Sequence, residues 1–376
     1  MKKTLTLIMT VIIFLLPCMT VSYASTDTAH SACVINAVTG DIVYQKNADT
    51  RMPMASTTKI MTALIALEKC KLDEVVTIGQ NAASQEGSSM YAKAGEQIYM
   101  EDMLYALMLN SGNDAAMAIA EHIAGSPEKF ADMMNQKAWS IGAGNTSFCN
   151  PSGLPQDAHF TTAKDLALIT QCAMKNSMFR TIVKTRSRTV WPINNLNNPH
   201  ELYNHNKLLT LYDGAIGVKT GYTEAAGRCL VSAAERDNMT FIAVTLNDSD
   251  DWNTHMQMLD DAFASHYPKK ALEKGQVIKN VTVDNKTYSF YAAEDFYIPM
   301  PKNKKIEINA EINVENDLKT PINKDEKVGY VALKYKGKEI GRVDVLSSDN
   351  IYGVSTIRMK NSFLECWKNI WSFFLL

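Results

Sequence analysis

Three short stretches of this chain carry side chains able to make and break an acyl bond. In Ser56-Thr57-Thr58-Lys59 the serine and the lysine stand three positions apart, a spacing that puts both on one face of a helix and brings the amine to the hydroxyl. Ser111-Gly112-Asn113 offers a second hydroxyl and a carboxamide, and Lys219-Thr220-Gly221 a second amine beside a hydroxyl and a glycine. A serine hydroxyl is a poor nucleophile at neutral pH and needs a base. Lysine serves as that base only where burial or a neighbouring cation lowers its pKa. Lys219 is the candidate for the neighbouring cation, because two ammonium groups held close together cannot both be comfortably charged, which leaves Lys59 free to take the Ser56 proton. Each stretch alone is common. Their order, and the elements expected to carry them, make the joint signal.

Those elements can be read from periodicity. A helix is expected over residues 54–68, with Ile60, Ala63, Leu64 and Leu67 as its apolar stripe, so the first stretch opens a helix. The second lies in a loop. Before it comes a helix with Met103, Leu104, Leu107 and Met108 inward and Glu101 and Asp102 at its N-terminus; after it comes a helix over residues 114–124 closed by Gly125. The third sits at the edge of a strand over 215–220, followed by strands over 228–234 and 241–246 that turn through Asp237-Asn238. Further helices are expected over 127–141, 162–175 and 250–265, a hairpin over 32–46 that turns at Gly40, and a serine- and glycine-rich loop over 77–95 able to form a rim. Strands at both ends with helices between predict one mixed domain whose terminal strands join a single sheet. Beyond Pro268 short Val/Ile/Lys runs over 277–283, 287–292, 305–314, 327–335 and 338–346 predict a small all-β module, with a hairpin turn at Lys336-Gly337-Lys338.

The ends and the composition narrow the class. Lys2 and Lys3 precede an apolar run over 5–16 and then Ser22-Tyr23-Ala24, the pattern of an export signal cleaved after Ala24. From about Ser362 the tail is dense in Phe, Trp and Leu with Lys360 and Lys368, which suits an amphipathic helix lying in a membrane interface. With 376 residues, 46% hydrophobic and 21% charged, the chain reads as globular, and a formal charge of -2 argues against nucleic acid as a partner. Six of the seven cysteines follow the leader, widely scattered, and the seven histidines lack metalloprotease spacing, so the spacings imply no metal and no cofactor.

In combination the chain resembles the D-alanyl-D-alanine carboxypeptidases, low-molecular-mass penicillin-binding proteins of the serine peptidase type. The resemblance rests on the three motifs, with Gly112 in place of the aspartate of related β-lactamases. It also rests on Asn150-Pro151-Ser152-Gly153-Leu154 followed by His159, Thr162, Ala163 and Asp165, on residues 204–209, and on Lys219 to Thr223 followed by Ala226-Gly227. It implies an α/β mixed DD-peptidase/β-lactamase-like domain built on an antiparallel sheet with helices, then a small all-β domain and a C-terminal amphipathic helix. The expected divisions are a signal peptide at 1–24, a peptidase domain at 25–268, a β-rich domain at 269–358 and an anchoring helix at 359–376.

The resemblance further implies that Ser56 attacks the carbonyl between two D-alanines of a peptidoglycan stem peptide, that β-lactams acylate the same serine, and that the enzyme works at the outer face of the cytoplasmic membrane or in the cell wall. Lys59 is then the base and Ser111 relays a proton to the departing amine. Asn113 would bond the substrate amide, Lys219 and Thr220 its carboxylate, and Gly221 would let its backbone approach. The N–H groups of Ser56 and Tyr222 would form the oxyanion hole. His159 and Asp165 read as structural, Arg228 as an exposed strand arginine and Cys229 as a buried small hydrophobe. A β-lactamase of the same fold is the alternative enzyme; before Lys219, Glu201 is followed four positions on by His205 where the deacylating loop of those enzymes has asparagine. A non-catalytic penicillin-sensing or cell-wall binding protein is the alternative of another class.

Overall fold

The computed structural model describes residues 28–283, 285–314, 317–352 and 356–358. The expected leader and the expected tail helix lie outside these residues. Strands β1 (Ser31–Asn36) and β2 (Ile42–Lys46) form the first hairpin, with Gly40 at φ 74° in its turn. A 3-10 turn, Ala55–Thr58, runs directly into helix α1 (Lys59–Lys69). Next come the small pair β3 (Val75–Thr77) and β4 (Gln97–Tyr99), with α2 (Gln80–Ala83) between them. The helical middle follows as α3 (Met100–Leu109), α4 (Asn113–Ala124), α5 (Pro127–Ile141), α6 (Ala163–Met174) and α7 (Ser177–Lys184). A second small pair, β5 (Ser187–Val190) with β6 (His200–Tyr203), and the single turn α8 (Leu208–Leu211) lead to β7 (Ala215–Thr223), β8 (Gly227–Arg236), β9 (Met239–Leu246) and α9 (Asp251–Ala264).

The first domain is layered around one antiparallel sheet of order β2-β1-β9-β8-β7, so strands from its two ends meet at its centre as expected. Every residue of β1 is buried. The reason is the two-residue period: Ala32 and Val34 pack with Met258, Leu259 and Ala262 of α9, while Cys33 and Ile35 face the helical lobe on the other side. α1 lies inside that lobe and is buried all round from Lys59 to Ala66, which is what its Ile-Met-Thr-Ala-Leu-Ile-Ala sequence demands. Helix ends follow local chemistry. Ser126 accepts from the Lys129 N–H ahead of Pro127, and Gly142 at φ 93° stops α5; Thr162 accepts from the Asp165 N–H to start α6. Asp237 and Asn238, at φ 50° and 60°, form the tight turn between β8 and β9.

The second domain is all β. β10 (His266–Leu272) pairs with β13 (Phe296–Pro301), and β11 (Val277–Val283), β12 (Lys286–Ala292), β14 (Asn309–Val314), β16 (Lys327–Tyr335) and β17 (Lys338–Ser347) form a sheet of order β11-β12-β17-β16-β14. β15 (Asp317–Lys319) pairs with β18 (Thr356–Arg358). Phe290, Val331, Leu333, Val343 and Val345 centre its core. β10 runs across the expected junction at 268, and its partner β13, like α7 and the β5–β6 pair, has no counterpart in the sequence reading. The two domains meet where the β1–β2 turn reaches across: Asn36 Nδ2 donates to the Pro299 carbonyl at 2.9 Å, and Asp41 accepts from Tyr335 and Lys336 at 2.6 Å each. Among the described residues no helix is long and apolar enough to cross a membrane, and Cys33, Cys70, Cys149, Cys172 and Cys229 are free thiols.

Candidate active site

Ser56 sits half-buried in the 3-10 turn and Lys59 begins α1 with none of its surface exposed. The Lys59 amine has three neighbours: Ser56 Oγ at 3.0 Å, Asn113 Oδ1 at 2.8 Å and the Ser152 carbonyl at 2.7 Å. The last two can only accept. A neutral amine carries two N–H groups and one lone pair, so donation to Asn113 and Ser152 leaves the lone pair for the Ser56 hydroxyl. The electrostatics favour that form. Burial lowers the Lys59 pKa well below the ordinary lysine value and the charge of Lys219 lowers it further, with Asp114 opposing. Lys219 is itself buried, pushed down to about 7 by desolvation, and its Nζ donates to the Thr220 carbonyl at 2.9 Å.

The turn, the loops and the strand edge hold this cluster by close contact. A methyl at Gly221 of β7 would stand 3.0 Å from Ser56 N and 3.1 Å from Thr57 N, so only glycine lets the strand lie against the serine turn. Gly153, at φ 93°, sits on the Ala55 carbonyl, where an added Cβ would fall 1.9 Å from the oxygen. The loop it belongs to is folded by Asn150, whose Oδ1 accepts from Ser152 N and Gly153 N, and is tied to α1 by Thr62 Oγ1 on the Pro151 carbonyl at 2.7 Å. Ser111 lies buried between α3 and α4 in the left-handed region, φ 58°. The rim loop is stitched to this corner by Asn113 Nδ2 on the Glu86 carbonyl and by Asp114, buried, which accepts from Ser89 Oγ, Met90 N, Ala92 N and Ala115 N.

A profile of the D-alanyl-D-alanine carboxypeptidase family matches residues 19–250, and one of the penicillin-binding protein 5 C-terminal domain matches 267–352. The chain belongs to the D-alanyl-D-alanine carboxypeptidase family. It is 32% identical to the D-alanyl-D-alanine carboxypeptidase DacF of Bacillus subtilis over 90% of either chain. It is similar in fold to the crystal structure of the D-alanyl-D-alanine carboxypeptidase DacD from Francisella tularensis, at a TM-score of 0.61 and 28% identity over 88% of this chain and 94% of that one. A point mutant of the Streptomyces K15 DD-transpeptidase matches with a TM-score of 0.60 and 35% identity over 64% of this chain and 99% of its own.

Within this carboxypeptidase the fold brings Ser56, Lys59, Asn113, Lys219 and Gly221 into one cluster; Thr220 is half-buried and Tyr222 is 67% exposed at its mouth. Asn113 lies at the centre of this cluster. Its carboxamide, read as a substrate contact, is engaged at both ends with Lys59 and Glu86. His159 accepts the Cys149 N–H at Nδ1, 3.0 Å, so its proton is on Nε2 and donates to Thr58 Oγ1 at 2.8 Å; Thr58 in turn donates to the Ala55 carbonyl. Burial holds the ring neutral with its pKa at about 4. Asp165 accepts from Asn145 N and Thr146 Oγ1, and Arg228 pairs with Asp251 at 2.5 Å. The Cys229 thiol is buried and pushed up to about 11. Asp114 and the Ser152 carbonyl escape the sequence reading. The only sequence signals for them are an acid opening a helix and an Asn-Pro-Ser-Gly turn.

Proposed function

We propose that the protein removes the terminal D-alanine from peptidoglycan pentapeptides through an acyl-enzyme on Ser56. Lys59, neutral in the resting enzyme, takes the hydroxyl proton as Ser56 Oγ attacks the carbonyl between the two D-alanines. The negative oxygen of the tetrahedral intermediate is held by the N–H groups of Ser56 and Tyr222. As the bond to the last D-alanine breaks, its nitrogen takes a proton through Ser111. Lys219, with Thr220, holds the substrate's terminal carboxylate, and water then releases the shortened peptide and restores Ser56. Asn113 serves first as the acceptor that orients the base.

The observation that carries this reading is the coordination of the Lys59 amine, with two pure acceptors and one hydroxyl around a buried nitrogen. β-Lactams present an acyl group and a carboxylate to the same residues and trap Ser56. The leader at 1–24 would deliver the enzyme across the cytoplasmic membrane and the aromatic tail at 359–376 would hold it at the outer face. The test is incubation with penicillin and with a D-Ala-D-Ala pentapeptide. A stable adduct on Ser56 together with released D-alanine is the expected result. An adduct that hydrolyses within seconds would instead mark a β-lactamase, and the absence of both adduct and release would overturn the reading.

A further inference from the structure

Far from Ser56, three side chains of different chemistry converge on the surface of the helical lobe: Cys70, Glu74 and His122. Cys70 ends α1, Glu74 stands in the link to β3, and His122 occupies the last turn of α4. Their Sγ, carboxylate oxygen and ring nitrogen all lie within 4.8 Å of one another. Glu74 is already oriented, since its Oε1 accepts from the Lys71 N–H at 2.7 Å while Oε2 faces His122 Nε2 at 3.3 Å. We propose that Cys70, Glu74 and His122 form a binding site for a divalent transition-metal ion of the zinc type, with water in the fourth position.

The chemistry and the fold both suit such an ion. Thiolate, imidazole and carboxylate are the three donor classes zinc accepts, and tetrahedral bond lengths place donor atoms about 3.5 Å apart. The Glu74–His122 pair already stands at 3.3 Å, and the other pairs need a contraction of at most about 1.3 Å, within the reach of side-chain rotation because Glu74 and His122 are partly open to solvent. α1 and α4 both direct their C-terminal carbonyl ends here, a field that favours a cation. On binding, the S–H bond breaks, the proton passes to solvent and the sulfur lone pair forms the bond to the metal; His122 binds through the Nε2 lone pair and Glu74 through Oε2.

Sequence spacing hid the site because His122 lies 48 residues beyond Glu74. The ion would tie the ends of two core helices to the connecting link. An eleven-residue α1 spans about 16 Å, so the site is remote from Ser56 and acylation by penicillin serves as an independent control of folding.

The test is titration of the reduced, metal-stripped full chain with Co2+ and then with Zn2+. Expected are one equivalent of Co2+, a thiolate-to-cobalt charge-transfer band in the near ultraviolet, its displacement by Zn2+, and a rise in thermal midpoint with Zn2+. Cys70→Ser should remove the band, and His122→Ala should weaken binding at least tenfold, roughly the least that loss of a ligand costs. Both variants should keep wild-type acylation. Absence of stoichiometric binding, a band that survives Cys70→Ser, or unchanged affinity in His122→Ala would each overturn the proposal.

Discussion

Replacing Asn113 by aspartate tests the base directly. The change is close to isosteric and puts a carboxylate oxygen where Oδ1 stands, 2.8 Å from the Lys59 nitrogen. At an effective dielectric of about 20 a unit charge at that distance favours the ammonium by about 6 kcal/mol, equivalent to roughly four pKa units. Burial of the new carboxylate and loss of the donation to Glu86 offset part of this, leaving an expected rise of about two units or more. The neutral amine becomes scarcer and needs a higher pH to reappear. In the second-order rate of acylation by a fluorescent penicillin, measured from pH 5 to 10, the acid limb should move up by about two units, so that at any pH on that limb the rate falls about a hundredfold. Asn113→Ala removes the same acceptor without adding charge, so it should slow acylation with no upward movement of the limb. If Asn113→Asp acylates at near wild-type rate with an unmoved limb, Lys59 is not the base.

Other expectations follow from contacts and burial. Gly221→Ala must push β7 off the serine turn by a few tenths of an ångström, and acylation should drop about tenfold to a hundredfold with little change in stability. Gly153→Ala has no such relief, because its methyl meets the Ala55 carbonyl; it should lower the unfolding free energy by several kcal/mol in urea titrations as well as abolish the adduct. Lys219, at about 7, is charged below that pH, so KM for carboxylate-ended peptides should rise as pH increases through 7 while that of carboxyl-capped analogues stays flat. His255 is wholly buried, its pKa depressed to about 3 against 6.5, so the unfolded chain takes up a proton that the native state refuses. Stability must therefore fall as pH drops below 6.5, by about 2 kcal/mol at pH 5 from this residue, and His255→Gln should remove that share of the pH dependence.

Local chemistry decides what can be read in advance. α5 is bounded correctly from sequence at both ends because Ser126, Pro127 and Gly142 each act within a turn of their neighbours. The β8–β9 turn is legible for the same reason. By contrast β5 and β6 are joined by an asparagine-rich loop without a tight-turn signal, and they are held in place by side chains far off in sequence, such as His200 on Glu96 at 3.0 Å. At the site the same division holds. The serine–lysine spacing is local and visible. The carbonyl of Ser152, 93 residues from Lys59, and the three donors that Asp114 gathers from Ser89, Met90 and Ala92 come together only after the chain has packed, and a carbonyl has no residue type to betray it.

The central position of β1 also has a consequence in time. Ala32 pairs with Thr245 and Asn36 with Phe241, so the middle of the sheet joins residues more than 200 positions apart. Until β9 exists, one edge of β1 has no partner and the helical lobe has no floor. At ordinary synthesis rates that interval is on the order of 10–40 s. The closing of so long a loop makes the last step of assembly slow and all-or-none. A nascent chain of this design stays open, and therefore threadable, until β9 ends at Leu246, about two thirds of the way along its 376 residues, and it acquires a competent Ser56 only once β7 and β9 have both arrived.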